Sequence, residues 1–156
     1  MINEGRGFQK VSRFYRKNGT NSFAQLPTRA DKKSAGYDFY LPCDITLKPH
    51  ETKLVFTDIK AYMRDDEVLM LFIRSSVGVK LGITLANGTG IIDSSYYNNP
   101  NNDGNIGIAL YNNSMKTVEL RGGDRIAQGI FMKYLVASNE DILNASRQGG
   151  FGSTGC

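Results

Sequence analysis

The end of the chain carries a cation, an aromatic ring and two hydroxyl groups between closely spaced glycines. Arg147 is followed by Gln-Gly-Gly-Phe-Gly-Ser-Thr-Gly, which places the ring at Phe151 and the hydroxyls at Ser153 and Thr154. Glycines this dense cost much backbone entropy to fix. Arginine suits phosphate, phenylalanine stacks on flat rings, and hydroxyls and bare amides bind oxygen atoms. The segment therefore fits a flap that closes over an anionic, flat-ringed ligand, and the alternative is a disordered tail.

The remaining reactive side chains exclude several kinds of catalysis. His50 is the single histidine and follows Pro49 in a predicted turn, which argues against Ser-His-Asp, Cys-His and multi-histidine zinc sites. Cys43 and Cys156 are far apart and have no metal-ligand spacing, so free thiols in a reducing compartment are predicted. Any catalysis must use carboxylates, a hard metal, arginines and backbone amides.

Leu85 to Tyr96 contains the best candidate for a general base. Asn87-Gly88 predicts a tight reversal of the chain. Asp93 follows two aliphatic residues, and partial desolvation would suit a base, although a turn aspartate is the simpler interpretation. Tyr96 could present its ring to a sugar or could fill the core.

Arg74-Ser75-Ser76 follows an apolar run that predicts a buried strand, Val68 to Ile73. A short helix is predicted to begin there, with Ser75 and Ser76 as candidate caps. A helix N-terminus with added Arg and Ser donors favours an anion, whereas a simple cap is the alternative.

The elements that must position these residues are short strands separated by turns, which predict an all-β barrel or sandwich. The chain of 156 residues is the length of one domain. Tyr97 to Gly104 is rich in Asn, Pro and Gly and predicts a polar loop. Further predicted strands flank the turn at Lys48 to Glu51 and lie at residues 106–111, 118–120 and 126–135.

The net charge of +4 is concentrated near the start of the chain, where basic residues alternate with aromatic ones. That pattern could bind nucleic acid, but a solvated surface is the preferred interpretation. A basic protein also attracts polyphosphates. Residues 1–10 are polar and no apolar run is long enough for a membrane span, so a cytoplasmic protein is expected.

Five segments, in their order and spacing, resemble the homotrimeric dUTPase family (dUTP diphosphatases). They are Ala35-Gly36-Tyr37-Asp38, Arg74-Ser75-Ser76, Asn87 to Tyr96, Gly123-Asp124-Arg125-Ile126-Ala127-Gln128, and Gly149 to Gly155. The resemblance covers Ala35 to Gly155. It implies a single-domain, jelly-roll-like distorted β-barrel over residues 1–146, with at most one short helix. It also implies a flexible C-terminal arm, residues 147–156, that closes over the active site, and a homotrimer whose active sites lie at subunit interfaces.

The activity implied by this resemblance is hydrolysis of dUTP to dUMP and pyrophosphate. Asp93 would activate the water that attacks the α-phosphorus, and Tyr96 would pack against deoxyribose. The uracil contacts would come from Asn87, Gly90 and Gly107. The phosphate contacts would come from Arg74, Ser75, Ser76 and Gln128, and the arm would add Arg147, Phe151, Ser153 and Thr154. Mg²⁺ would be held by the triphosphate, without direct protein ligands but with a water-mediated contact to Asp38.

Two features depart from the family pattern. The Tyr97 to Gly104 loop is several residues longer than in many relatives, and it or the N-terminal segment could contact a protein partner. The arm arginine, Arg147, lies four residues before Phe151, whereas many relatives have it at the position of Ser146.

Two other functions compete with dUTP hydrolysis. A dCTP deaminase shares the fold, but it needs a carboxylate on the strand Ile108 to Asn112, which has none. The other is a regulatory binding protein built on the same fold.

Overall fold

The computed structural model describes residues 5–19, 24–140 and 150–151. Strands dominate these residues and confirm the all-β prediction, with one short α-helix. The strands are β1 Gly7–Lys10, β2 Tyr37–Tyr40, β3 Ile45–Leu47, β4 Thr52–Phe56, β5 Ile59–Tyr62, β6 Glu67–Ile73, β7 Ile83–Leu85, β8 Gly90–Asp93, β9 Gly107–Asn112, β10 Val118–Leu120 and β11 Arg125–Lys133. The helix α1 spans Ser75–Leu81, and single 3₁₀ turns span Arg13–Tyr15 and Ser94–Tyr96.

The described strands form four antiparallel groups and no closed barrel. The largest sheet has the order β2-β11-β6-β8, and a three-stranded sheet has the order β4-β9-β7. Two further pairs, β1-β5 and β10-β3, complete the set. One core of buried aliphatic and aromatic side chains, including Phe39, Leu69, Ile83 and Ile108, lies between the groups.

Two turns join strands that do not pair with each other. The turn at Lys48 to Glu51 is where the sequence predicts it, but β3 pairs with β10 whereas β4 pairs with β9. The reversal at Asn87-Gly88 is also confirmed, with Gly88 at φ +75°. It connects β7, which pairs with β9, to β8, which pairs with β6. The chain therefore crosses from one sheet to another at this reversal and leaves a gap between them.

Strand β6 and helix α1 differ in detail from their predictions. Leu69 and Leu71 are buried, but Met70 and Phe72 on the opposite face are only half-buried, so β6 is not covered on both faces within one chain. The helix begins where expected, yet its N-cap is Arg74 and no side-chain cap bond is formed. Ser75 and Ser76 are both exposed and are thus available to a ligand instead.

No helix among the residues described is both long and apolar enough to cross a membrane.

Candidate active site

A cavity of about 350 Å³ opens where β7 and β8 diverge into different sheets. It is lined by Asn87, Thr89, Gly90, Ile91, Ile92, Asp93, Tyr96, Gly107, Gly150 and Phe151. Five residues that were predicted to contact the base, the sugar or the attacking water thus line one cavity. They are Asn87, Gly90, Asp93, Tyr96 and, on β9, Gly107.

Gly90 is required by packing, and Gly107 lies close to the flexible end of a leucine side chain. A Cβ on Gly90 would lie 2.9 Å from Cβ of Leu71, and one on Gly107 would lie 2.9 Å from Cδ1 of Leu54. Separations this short force neighbouring atoms to move. The bare backbone at both positions therefore gives a flat surface against which a planar ring can lie.

Asp93 is the last residue of β8 and precedes the 3₁₀ turn that carries Tyr96. Its carboxylate is half-buried and lines the cavity, and the residue pairs with Val68 across the sheet. A carboxylate at the mouth of a cavity can accept a proton from a water that is positioned there.

Tyr96 is buried, and its hydroxyl is fully engaged with the loop that follows. The hydroxyl donates to the backbone carbonyl of Asn105 at 2.7 Å and accepts from Nδ2 of Asn102 at 2.8 Å. The ring, which lines the cavity, is therefore the part of Tyr96 that is available to a ligand.

A second cavity, also of about 350 Å³, lies beside the start of α1. Its lining includes Asp38 from β2, Arg74 and Ser75 from the helix start, and Gln128 from β11. Asp38 and Gln128 are direct partners across the β2-β11 pair, and the Arg74 amide donates to the carbonyl of Ile126. Three of the five motif segments thus meet here. Ser76 is not in the lining.

The charges in this second cavity are already paired with each other. Nε of Arg74 lies 2.9 Å from one oxygen of Asp38, and Nη1 of Arg125 lies 3.5 Å from the other. Arg125 lies inside the fourth motif but is not in the cavity lining. The buried Asp38 carboxylate holds the Arg74 guanidinium beside the cavity, where it can bind phosphate bidentately.

Asp93 of the first cavity and Arg74 of the second lie at opposite ends of β6. Asp93 is opposite Val68 at the start of the strand, whereas Arg74 follows its last residue, Ile73. Six residues of extended chain span roughly 20 Å. A general base acts within hydrogen-bond reach or through one water, so Asp93 and Arg74 of the same chain are too far apart to act on one phosphate group.

Gly150 and Phe151 of the C-terminal segment lie against the first cavity of their own chain. A Cβ on Gly150 would lie 3.2 Å from the Tyr96 ring, and one on Gly107 would lie 3.2 Å from the Phe151 ring. Phe151 is still largely exposed. The predicted phosphate ligands Arg147, Ser153 and Thr154 lie outside the described residues.

The side chains around Asp38 suit a Mg²⁺ ion that is bound by substrate phosphates better than one that the protein binds directly. Among the residues described, no cluster of three or more His, Cys, Asp or Glu side chains could hold a metal ion. Both oxygens of Asp38 face guanidinium groups, which disfavours direct coordination. Mg²⁺ binds commonly through substrate phosphates and keeps several waters, so a water-mediated contact to Asp38 remains compatible with these donors.

Comparisons by sequence and by structure find the same protein family. The family model for dUTPase matches residues 23–155. A deoxyuridine 5′-triphosphate nucleotidohydrolase from Lactococcus lactis subsp. lactis (strain IL1403) is 42% identical over 151 residues, which are 96% of this chain and 97% of the relative. The crystal structure of dUTPase from Streptococcus mutans has a TM-score of 0.75 and 39% identity, and the match covers 85% of this chain and 99% of that one.

A more distant neighbour shares the fold. This is a mutant dUTPase from phage phi11 of S. aureus, whose structure is described as revealing the coordination of a structural Mg(II) ion. Its TM-score is 0.71 at 22% identity, and the match covers 88% of this chain and 95% of that one.

Proposed function

This chain belongs to the dUTPase family and hydrolyses dUTP, and on that premise we propose how its residues carry out the reaction. The uracil ring occupies the cavity between β7 and β8, against the backbone of Asn87, Gly90 and Gly107. Deoxyribose packs on the Tyr96 ring. The observation that supports this assignment is that Asp93 and Tyr96 line the same cavity as Gly90 and Gly107.

Asp93 is the proposed general base. It accepts a proton from a water, whose oxygen attacks the α-phosphorus. The bond from the α-phosphorus to the bridging oxygen breaks, and the electron pair leaves with pyrophosphate, so that dUMP retains the water oxygen. Hydrolysis in ¹⁸O-water should therefore place the label in dUMP, and label in pyrophosphate would contradict attack at the α-phosphorus.

The second cavity is the proposed triphosphate site. Arg74 and Ser75 face it beside Gln128, and Ser76 is the exposed neighbour at the helix start. A bound Mg²⁺ would neutralise charge on the triphosphate, which binds it with no direct ligand from the chain. Arg74 would exchange part of its contact with Asp38 for phosphate, and Asp38 would be the residue that contacts the ion through water.

Because Asp93 and Arg74 lie roughly 20 Å apart along β6, a single nucleotide is proposed to use the first cavity of one copy and the second cavity of another. This supports the homotrimer with interface sites that the family resemblance implies. The C-terminal arm, residues 147–156, supplies Arg147, Ser153 and Thr154 to phosphate and stacks Phe151 on the base. Closure of this arm would exclude water other than the attacking one.

Deamination of dCTP is the weaker assignment. Strand β9 borders the first cavity at Gly107 and continues as Ile108-Ala109-Leu110-Tyr111-Asn112, with no carboxylate to serve the cytosine amino group. No observation favours a binding protein without catalysis.

Mixed assemblies test the two-copy site. Asp93→Asn and Arg74→Ala chains, each prepared alone, are expected to be nearly inactive. When the two are unfolded, combined in equal amounts and refolded together, about a quarter of the sites should hold both native residues if copies combine at random. The measurement is pyrophosphate release from dUTP. Recovery no greater than the sum of the two parents would contradict a site shared between copies.

A further inference from the structure

We propose that Asn102 is a positioning residue that fixes the ring of Tyr96 and thereby sets the preference for deoxyribose over ribose. This inference rests on the proposed function, because it concerns the same sugar contact. Asn102 lies in the Tyr97 to Gly104 loop, the segment that is longer here than in many relatives. It does not line the cavity, and so it acts through Tyr96 alone.

The Tyr96 hydroxyl is held from two sides. It accepts a hydrogen bond from Nδ2 of Asn102 at 2.8 Å and donates one to the carbonyl of Asn105 at 2.7 Å. Any rotation or translation of the ring toward the core must lengthen at least one of these bonds. The loop therefore holds the ring at its far end from the backbone.

Asn102 is itself fixed in one orientation by its carboxamide oxygen. That oxygen accepts hydrogen bonds from Nδ2 of Asn99 at 2.6 Å and from the amide of Gly104 at 3.1 Å. Asn99 is buried, and its Nδ2 also donates to the backbone carbonyl of Tyr96 at 2.8 Å. With the oxygen occupied, the amino group of Asn102 must point toward Tyr96.

The loop is anchored to the rest of the protein at both ends of this arrangement. Nζ of Lys60 binds both oxygens of Asp103 at 3.0 Å, and Asp103 also accepts from the amide of Ser12 at 2.8 Å. The fully buried Asn105 exchanges hydrogen bonds of 2.9 Å with the backbone amide and the carboxylate of Asp58. Tyr96 is thus tied to a fixed frame rather than to a free surface loop.

This rigidity matters because a ring excludes a 2′-hydroxyl only if it cannot move away from it. A small displacement of Tyr96 would relieve the clash at little cost, and ribose would then be accepted. Discrimination by shape needs side chains that are held in place by supporting hydrogen bonds. The Asn102 contact supplies that support at the atom of Tyr96 that is farthest from its own backbone.

Asn102→Asp is the sharpest variant. It keeps the oxygen that accepts from Asn99 and Gly104 and replaces the donating amino group with a charged acceptor oxygen. The Tyr96 hydroxyl has one proton, so it can no longer bond this side chain and the carbonyl of Asn105 at the same time. The ratio of kcat/KM for dUTP to that for UTP should fall about two- to tenfold, as expected for one net hydrogen bond. The loss should come mainly from improved use of UTP. Asn101→Asp, at an exposed neighbouring position, makes the same charge change and should leave the ratio unaltered.

Tyr96→Phe keeps the ring and removes the hydroxyl, so it should lower the same ratio, and it covers the case in which Asn102→Asp does not fold. In the Tyr96→Phe background, adding Asn102→Asp should cause no further fall in the ratio. Provided that the unmodified protein turns over dUTP, either of two results would overturn the inference. One is an unchanged ratio in Tyr96→Phe or in a folded Asn102→Asp, and the other is fully additive effects in the double variant. Absence of dUTP turnover in the unmodified protein would overturn the proposed function and this inference together.

Discussion

The first cavity, proposed to bind base and sugar, and the second, proposed to bind phosphate, are built in opposite ways. The first is closed by hydrogen bonds within one chain: the Tyr96 hydroxyl is saturated by Asn102 and Asn105, and glycines shape the wall. In the second, the guanidinium group of Arg74 is paired with Asp38 and can be redirected. On the proposed assignment, the surface that recognises shape is formed before a ligand arrives, whereas recognition of charge requires Arg74 to exchange its partner.

This difference follows from the chemistry of each ligand part. A uracil ring and a deoxyribose are rigid and nearly neutral, so a preformed slot can select them by fit. A triphosphate carries several charges, and an arginine waiting for it without a partner would be costly if it were buried. Pairing Arg74 with Asp38 satisfies both groups until phosphate competes.

The largest expected effect separates chemistry from binding in the first cavity. Asp93→Asn keeps the shape of the side chain but cannot accept a proton, so kcat should fall about 10²- to 10⁴-fold, as is typical for loss of a general base. Affinity for dUMP should remain close to that of the unmodified chain. Steady-state kinetics and dUMP inhibition measure the two quantities. Asp65→Asn, in an exposed turn, is the matched control; normal turnover in Asp93→Asn would exclude Asp93 as the base.

Arg74→Lys should affect the two cavities unequally. Lysine keeps the charge but loses the planar fork and the Nε contact to Asp38. Loss of one hydrogen bond to a charged group corresponds to about a 10- to 100-fold rise in KM for dUTP. Deoxyuridine, which has no phosphate, should inhibit the variant and the unmodified enzyme equally. The exposed control Arg121→Lys should have the same KM for dUTP as the unmodified enzyme. Equal weakening of deoxyuridine and dUTP would contradict the separation of the two cavities.

The smallest effect concerns the support of β6 at its Asp93 end. Nε of Arg6 donates to the two oxygens of the buried Glu67 at 2.9 and 3.0 Å. The hydrogen bond from Arg6, aided by the amide of Arg64, holds the pKa of Glu67 below its ordinary value of 4.5, although burial opposes this. Because the folded-state pKa is lowered, the pair stabilises the fold above the unfolded-state pKa and loses that contribution as the pH falls through the folded-state value.

Urea unfolding should therefore show a lower midpoint for Glu67→Gln than for the unmodified chain at pH 7, with the gap closing toward acid. Asp66→Asn removes a pair with Lys133 in which both side chains are more than half exposed, and it should change the midpoint little. A gap between Glu67→Gln and the unmodified chain that persists below the folded-state pKa would contradict this account.

The candidate site was predicted from the family resemblance, because local patterns left Asp93 as a possible turn residue, Tyr96 as a possible core residue and Arg74 as part of a possible helix cap. Local patterns did predict the reversal at Asn87-Gly88 and six of the eleven described strands, β3, β4, β6, β9, β10 and β11. Pairing was harder, because β7 and β8 adjoin in the chain but join different sheets. No local signal indicates which distant strand a short strand will select.

The hydrogen-bond networks could not be predicted from local patterns either, because they join residues that are far apart in sequence. Tyr97 to Gly104 was correctly predicted to be no strand, but its contacts to Ser12 and Lys60 join residues far apart in sequence. The capping role predicted for Ser75 and Ser76 was wrong because Arg74 occupies the N-cap. The roles of all the site residues, including Arg147, Ser153 and Thr154 of the arm, and the cytoplasmic location stay predictions.

The attachment of the long loop to the N-terminal segment has a consequence for protein engineering. Ser12 and Tyr15 bind Asp103 and the carbonyl of Pro100, and the amides of Lys17 and Asn18 bind Asp58, which in turn holds Asn105. Residues 11–18, 58–60 and 97–105 therefore form one transplantable unit, because Asp58 and Lys60 hold the other two segments. A chimera that receives only the loop would acquire a segment without its counterparts, whereas exchange of all three pieces would transfer the complete set of contacts to a relative.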